Sequence, residues 1–217
     1  SDERRPELKI IMNEESVHVE QYGEYLFDSI VVLIPQTESL RGALKPENLV
    51  KFMDSGRNVF IAAASTSVSS AIRKVSAESS LEFVQDKSQL QDFFNSAEDG
   101  KVYTNQANKA VITEPIHQPI VYRGMTMTET STNPLIVPIL KGEKTSFSED
   151  PFKSLNGRPN CVGEECLVVA AIQGRNGARL TFVAGVDLLS DSLFDETRNE
   201  VSVGNKNFSR QLLLWSL

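Results

Sequence analysis

Apolar and polar positions along the chain fall into blocks whose spacing changes between a strand period and a helix period, and those blocks predict the elements. Leu8, Ile10 and Met12, interleaved with Lys9 and Ile11, predict a short strand. Tyr22, Tyr25 and Leu26 fit one face of a helical turn, which reads as core packing. The apolar run at 30–34 reads as a strand buried on both faces, in the middle of a parallel sheet. Pro46-Glu47-Asn48 opens a helix with its apolar stripe at Leu49, Val50 and Met53, and Gly56 stands where a C-cap belongs. Residues 58–64 predict the next strand. Ser65 or Ser67 can cap the helix after it, where Val68, Ala71, Ile72 and Val75 recur at helical spacing.

The first third therefore reads strand, helix, strand, helix, an order that calls for a parallel sheet with helices packed on its faces. Residues 90–95 are short and amphipathic, and 110–113 predict a strand. Pro115, Pro119, Pro134, Pro138 and Pro151 interrupt the middle of the chain, and 141–160 reads as a long exposed loop. Order returns at 166–173. Asn176-Gly177 separates that run from the apolar stretch 178–186, and Asn-Gly between two such runs signals a hairpin, because both turn residues can take positive φ. Residues 211–215 predict a terminal helix docked on the core.

The expected fold class is α/β: an open, mostly parallel sheet with helices on both faces, similar to flavodoxin, with an antiparallel hairpin near 166–186. One domain spanning 1–217 is expected, since a chain of 217 residues can bury a sizeable core without staples.

Charge narrows the functional classes. The net charge is −7 and no basic cluster interrupts it, which argues against nucleic acid as a partner. No stretch reaches the roughly 18 consecutive apolar residues of a membrane span. Residues 1–6 are charged, with no apolar core after them, so no secretory leader is read there. The chain can still be a fragment of a secreted or anchored protein.

Candidate chemistry is sparse. Cys161 and Cys166 enclose Val162-Gly163-Glu164-Glu165. They can form a small disulfide loop in an oxidising compartment or remain two reduced thiols, with Cys166 opening a buried strand. Zinc is not expected, since only His18 and His117 could complete such a site. Ser65-Thr66-Ser67 lies between a strand and a helix, where hydroxyls could hold an anion or simply cap the helix. A serine nucleophile would need His18 or His117 as its base, and both histidines sit in polar or proline-bounded sequence. Asp187, Asp191 and Asp195 could attract a hard cation if they shared a helix face, or could end a strand and start a turn. Glu164-Glu165 and Glu149-Asp150 are adjacent acids, which rarely address one substrate. Trp215 could stack on a sugar or fill the core beneath the terminal helix. Asn207-Phe208-Ser209 is an N-glycosylation sequon. The expected sets of catalytic, cofactor-binding and metal residues are empty.

Several blocks together carry a resemblance: Tyr22-Gly23-Glu24-Tyr25-Leu26-Phe27-Asp28 entering an apolar strand, Phe52-Met53-Asp54-Ser55-Gly56-Arg57-Asn58-Val59, Ile120-Val121-Tyr122-Arg123-Gly124-Met125, Asn133-Pro134-Leu135, Gln173-Gly174-Arg175-Asn176-Gly177-Ala178-Arg179, and Asp187-Leu188-Leu189-Ser190-Asp191-Ser192-Leu193-Phe194. In this order they resemble the family of the large luminal, non-catalytic oligosaccharyltransferase subunit. Members of that family usually begin with another strand and helix, and continue into a membrane-proximal part and one transmembrane helix, so the chain looks like a luminal fragment.

The resemblance implies an endoplasmic reticulum membrane protein whose domain faces the lumen. It implies partners among the other subunits of the complex that transfers an oligosaccharide from dolichyl diphosphate to asparagine, including a multi-span subunit that carries the catalytic centre. It also implies a fold similar to class I glutamine amidotransferase domains. Those enzymes place a cysteine nucleophile at a strand-to-helix turn, whereas here the turn carries Ser65 and Thr66. The function implied is an accessory, scaffolding role that holds the complex together and helps to position substrate. Two alternatives stay open: an amidotransferase-like or hydrolase-like enzyme on the same fold, and a glycan-binding module.

Overall fold

The computed structural model describes residues 7–10, 18–34, 40, 42–96, 98–153, 158–198 and 201–217. Its main sheet is built from β1 (Ser29–Leu33), β2 (Asn58–Ala62), β3 (Leu81–Phe83), β4 (Met127–Glu129), β5 (Ile136–Lys141), β6 (Leu167–Gln173) and β7 (Arg179–Val183). The helices are α1 (Pro46–Asp54), α2 (Ser70–Glu78), the single turn α3 (Asp191–Phe194) and α4 (Asn205–Ser216).

The strand order is β1-β2-β7-β6-β4-β3, with β5 paired to β6. Only β1–β2 and β2–β7 run parallel. The pairs β7–β6, β6–β5, β6–β4 and β4–β3 are antiparallel. This overturns the expected open, mostly parallel sheet of flavodoxin type layered by helices. The crossover helix α1 brings β2 round parallel to β1, and α2 leads from β2 to β3, but β3 to β7 pair with one another only in antiparallel fashion. Of these antiparallel pairs, β6–β7 is joined by a tight turn, which can only reverse the chain, and the others are joined by long connections. Among the described residues four small sheets add to the strand content, one of them a three-stranded sheet of Gln89–Gln91, Phe147–Glu149 and Cys161–Val162.

Side-chain alternation divides the core in two. Val59, Ile61, Leu180 and Phe182 face Leu49 and Phe52 of α1 and Ile72 and Val75 of α2. Phe60, Ala62, Val169, Ala171 and Val183 face Phe208 and Leu212 of α4. That second face has one helix of its own. Leu90, Val102, Ile120 and Cys161 from the small sheets and loops close the rest of it.

Several sequence expectations change in three dimensions. β1 is an edge strand, and Val31 and Leu33 are exposed. An apolar run cannot say whether other elements cover both of its faces, and the face carrying Val31 and Leu33 is left open. Tyr22-Gly23 is not a helical turn. It is the tip of a hairpin pairing Glu20–Gln21 with Glu24–Tyr25, both tip residues have positive φ, and Tyr22 is 96% exposed. Tyr25 does pack, edge-on against Phe52 at 5.1 Å. Residues 110–113 form a turn with Val111 and Ile112 buried, because both N–H groups bond back to the Asn108 carbonyl. The expected loop 141–160 contains Phe147–Glu149 as the central strand of the three-stranded sheet. Ser69, not Ser65 or Ser67, caps α2 by accepting from the Ile72 N–H. The strand expected at Leu8, Ile10 and Met12 lies partly outside the described residues, and 7–10 are not in a strand.

Other expectations match. α1 begins with Pro46 in its first turn. The Asn176-Gly177 turn closes the β6–β7 hairpin, with the Gly174 N–H bonded to the Ala178 carbonyl at 2.8 Å. The terminal helix is α4, and Trp215 packs half-buried under the Arg179 guanidinium, 4.4 Å from the ring centre.

Candidate functional site

The carboxyl ends of the parallel strands are where an open α/β sheet places its chemistry. β2 leads there to Ser65, and β7 leads through Gly185 to Asp187. The Ala63 N–H bonds to Val183, and the Val186 N–H returns to Ala63, so the two strand ends are locked together. The Ser65 hydroxyl donates to Asp187 Oδ2 at 2.8 Å. The Met125 N–H donates to the Ser65 carbonyl, and the buried Tyr122 hydroxyl donates to the Met125 carbonyl. Burial, reinforced by the Asp187 charge, pushes the Tyr122 phenol well above its ordinary range. It therefore stays protonated and serves as a fixed donor.

Glycines close this cluster tightly. A Cβ on Gly185 would lie 2.9 Å from the Tyr122 hydroxyl oxygen and 3.0 Å from Ser65 Oγ. A Cβ on Gly124 would lie 2.7 Å from the same hydroxyl. No space for a substrate adjoins Ser65 on that side. Its hydroxyl is spent on a carboxylate, and neither exposed histidine, His18 nor His117, bonds to it. The arrangement joins two strand ends and a loop.

Asp187, Asp191 and Asp195 do not converge. Asp187 faces Ser65, Asp191 lies in the first turn of α3, and Asp195 caps the end of that turn. No group of three His, Cys, Asp or Glu residues that could hold a metal occurs among the described residues. Glu164 pairs with Lys141 at 3.1 Å, and Asp150 accepts from the Phe152 N–H. Thr66 accepts from the Lys87 N–H through its carbonyl.

A second carboxylate carries more structure than its sequence suggests. Asp92 is buried and accepts from the Phe94 and Asn95 N–H groups at 2.8 and 3.0 Å, and from Asn95 Nδ2, Thr145 Oγ1 and Ser146 Oγ at 3.2, 2.7 and 3.0 Å. Burial alone would raise its pKa, but the Thr145, Phe94 and Asn95 bonds outweigh that and hold it below the ordinary carboxylate value. Nothing local to Asp92 announces this, because Thr145 and Ser146 lie more than fifty positions away. An open polar cleft of about 480 Å³ lies beside β3, lined by Arg73, Glu82, Gln85, Asp86, Thr128 and Asn160 among others. Arg73 is already engaged there, donating to the Phe83 and Val84 carbonyls and to Asp86.

Cys161 and Cys166 are joined, S–S 2.04 Å, and bracket the short helical turn Gly163–Glu165 beneath the second core. The sequon lies inside α4: Phe208 and Ser209 are buried, and Asn207 Oδ1 accepts from Gln211 Nε2. The other amides of α4 act as clamps. Asn205 holds both the N–H and the carbonyl of Val121, each at 2.8 Å, and Gln211 holds both backbone groups of Glu114. None of the described helices is long and apolar enough to cross a membrane.

Comparison with known proteins sets this packed architecture in a family. The chain is 28% identical over 199 residues to the dolichyl-diphosphooligosaccharide–protein glycosyltransferase 48 kDa subunit of Danio rerio, covering 88% of this chain and 45% of that protein. The subunit of the same name from Arabidopsis thaliana is 28% identical over 215 residues, covering 91% and 49%. That from Caenorhabditis elegans is 27% identical over 213 residues, covering 90% and 48%. The chain thus spans about half the length of these curated relatives. A model of the OST48 N-terminal domain matches residues 3–217, and the chain belongs to that family.

Proposed function

We propose that this chain is the luminal, non-catalytic part of an oligosaccharyltransferase subunit. In this reading it acts as a scaffold for protein N-glycosylation in the endoplasmic reticulum, anchored to the membrane by a segment outside the chain. The observation that carries it is the family match across 3–217, together with relatives named as subunits of a dolichyl-diphosphooligosaccharide–protein glycosyltransferase.

The geometry supports the non-catalytic half of the proposal. In the strand-end cluster the Ser65 and Tyr122 hydroxyls are spent on internal bonds, to Asp187 and to the Met125 carbonyl, and glycines pack against both hydroxyls. An amidotransferase-like or hydrolase-like reading would need a nucleophile with a base there. A glycan-binding reading would turn to the polar cleft at Arg73, whose guanidinium is already taken up by backbone carbonyls. The linked, buried cysteines suit an oxidising lumen. The catalytic centre then belongs to another, multi-span subunit, and residues 1–217 act as one folded unit that binds it or its neighbours.

The test is affinity purification of the full-length protein from its own cells, followed by mass spectrometry. Recovery of the catalytic and other oligosaccharyltransferase subunits is expected. A purified protein that leaves every one of them behind would sink the proposal.

A further inference from the structure

Tyr22 occupies a position that folding alone does not favour. It is the first tip residue of the hairpin Glu20–Gln21/Glu24–Tyr25, with φ 54°, ahead of Gly23 at φ 83°. Two positive φ values make a turn that favours Asn-Gly, because a bulky residue there brings its Cβ against backbone oxygen. The side chain recovers nothing in return, being 96% exposed. The hairpin beneath it is firmly held. Tyr25 packs edge-on against Phe52, and the Arg57 guanidinium lies 4.8 Å above the Tyr25 ring while its Nε donates to the Phe27 carbonyl. The Leu26 N–H closes the base of the hairpin on the Val19 carbonyl. A strained, exposed aromatic on a rigid mount is the arrangement of an interface anchor, since the backbone entropy of its mount is lost before any partner arrives.

We infer that Tyr22 is an anchor that inserts into an apolar pocket, rimmed by lysine or arginine, on another polypeptide of the complex; this rests on the subunit role proposed above. Charge selects that occupant. Glu20, Glu24 and Asp28 flank the tip and are exposed, as are Leu26 and His18 nearby. Two copies of this chain meeting tip to tip would bring these acids together, and an anionic bilayer would repel them. A cationic rim pairs with them and can also lie over the tyrosine face.

The experiment uses the full-length protein, tagged in its own cells, in three forms: wild type, Tyr22→Asn and Tyr22→Phe. A fourth form carries a benzophenone photo-crosslinking amino acid at position 22. Tyr22→Asn is expected to keep or raise the thermal midpoint of the chain, yet to retain its neighbouring subunit at least about tenfold less well. Tyr22→Phe is expected to retain it nearly as the wild type does. The crosslink is expected on an apolar segment of an oligosaccharyltransferase subunit that contains lysine or arginine. Unchanged retention by Tyr22→Asn, or adducts confined to lipid, to a second copy or to the chain itself, overturns the inference while leaving the subunit role intact. Absence of those subunits from the wild-type purification overturns both.

Discussion

Replacing Asp92 by alanine tests whether a single buried carboxylate organises the junction between the turn 92–95 and the segment at Thr145-Ser146. In the folded chain its two oxygens receive bonds from Phe94, Asn95, Thr145 and Ser146. After truncation Asn95 and Thr145 can turn to water, whereas the buried Ser146 hydroxyl and the two backbone N–H groups fixed by the turn lose their acceptor. Each backbone donor left unsatisfied costs about 1–3 kcal/mol. Together with the lost charge-assisted bonds, the expected destabilisation is roughly 3–5 kcal/mol. For a chain of this size that lowers the melting temperature by on the order of 10 °C. Urea unfolding followed by tryptophan fluorescence, with Trp215 as the reporter, measures it directly.

The same site predicts a pH dependence. The folded pKa lies below the unfolded value of about 3.9. The carboxylate therefore stabilises the fold in full above the unfolded pKa, and that contribution fades as pH falls through the folded pKa. The stability gap between wild type and Asp92→Asn should hold from pH 7 to pH 5 and narrow on further acidification. A loss below about 1 kcal/mol for Asp92→Ala, or a gap that widens in acid, would refute the argument.

Three further expectations rest on the same kind of geometry. Asn205→Ala removes the amide that holds both backbone groups of Val121, and should destabilise by about 3 kcal/mol; a circular-dichroism melt equal to that of the wild type would contradict it. Cys161 and Cys166 should resist alkylation until a reductant is added, and Cys166→Ser should cost about 2 kcal/mol, the entropy of so short a loop; immediate double alkylation in peptide mass spectrometry would count against the bond. Once the chain is folded, Asn207 should stay unglycosylated, because its sequon is helical with Ser209 buried; a mass change on glycosidase treatment that disappears in Asn207→Gln would disprove this.

The sequence determined local elements wherever their cause lies within a few residues. Pro46 starts α1 because a proline costs nothing where the helical N–H has no partner. Asn176-Gly177 turns β6 into β7 because its backbone tolerates positive φ. The spaced blocks also carried the family resemblance, which the match across 3–217 bears out.

Only the tertiary structure decided what depends on distant neighbours. The apolar runs of β1 and β6 read much alike, yet β1 closes an edge with one face open and β6 lies inside the sheet with both faces covered, since burial is set by what packs on each face and not by composition. Whether later strands run parallel or antiparallel depends on their connections and on which edge is still free. Tyr22 and Tyr25 read as one apolar face, but positive φ at Tyr22-Gly23 turns one outward and leaves the other on Phe52. Likewise Asp92 and Asp187 look like ordinary loop and strand-end acids. Their roles come from hydroxyls and amides that only the folded chain brings within 3 Å or so, because hydrogen bonds act at a range that linear order cannot report.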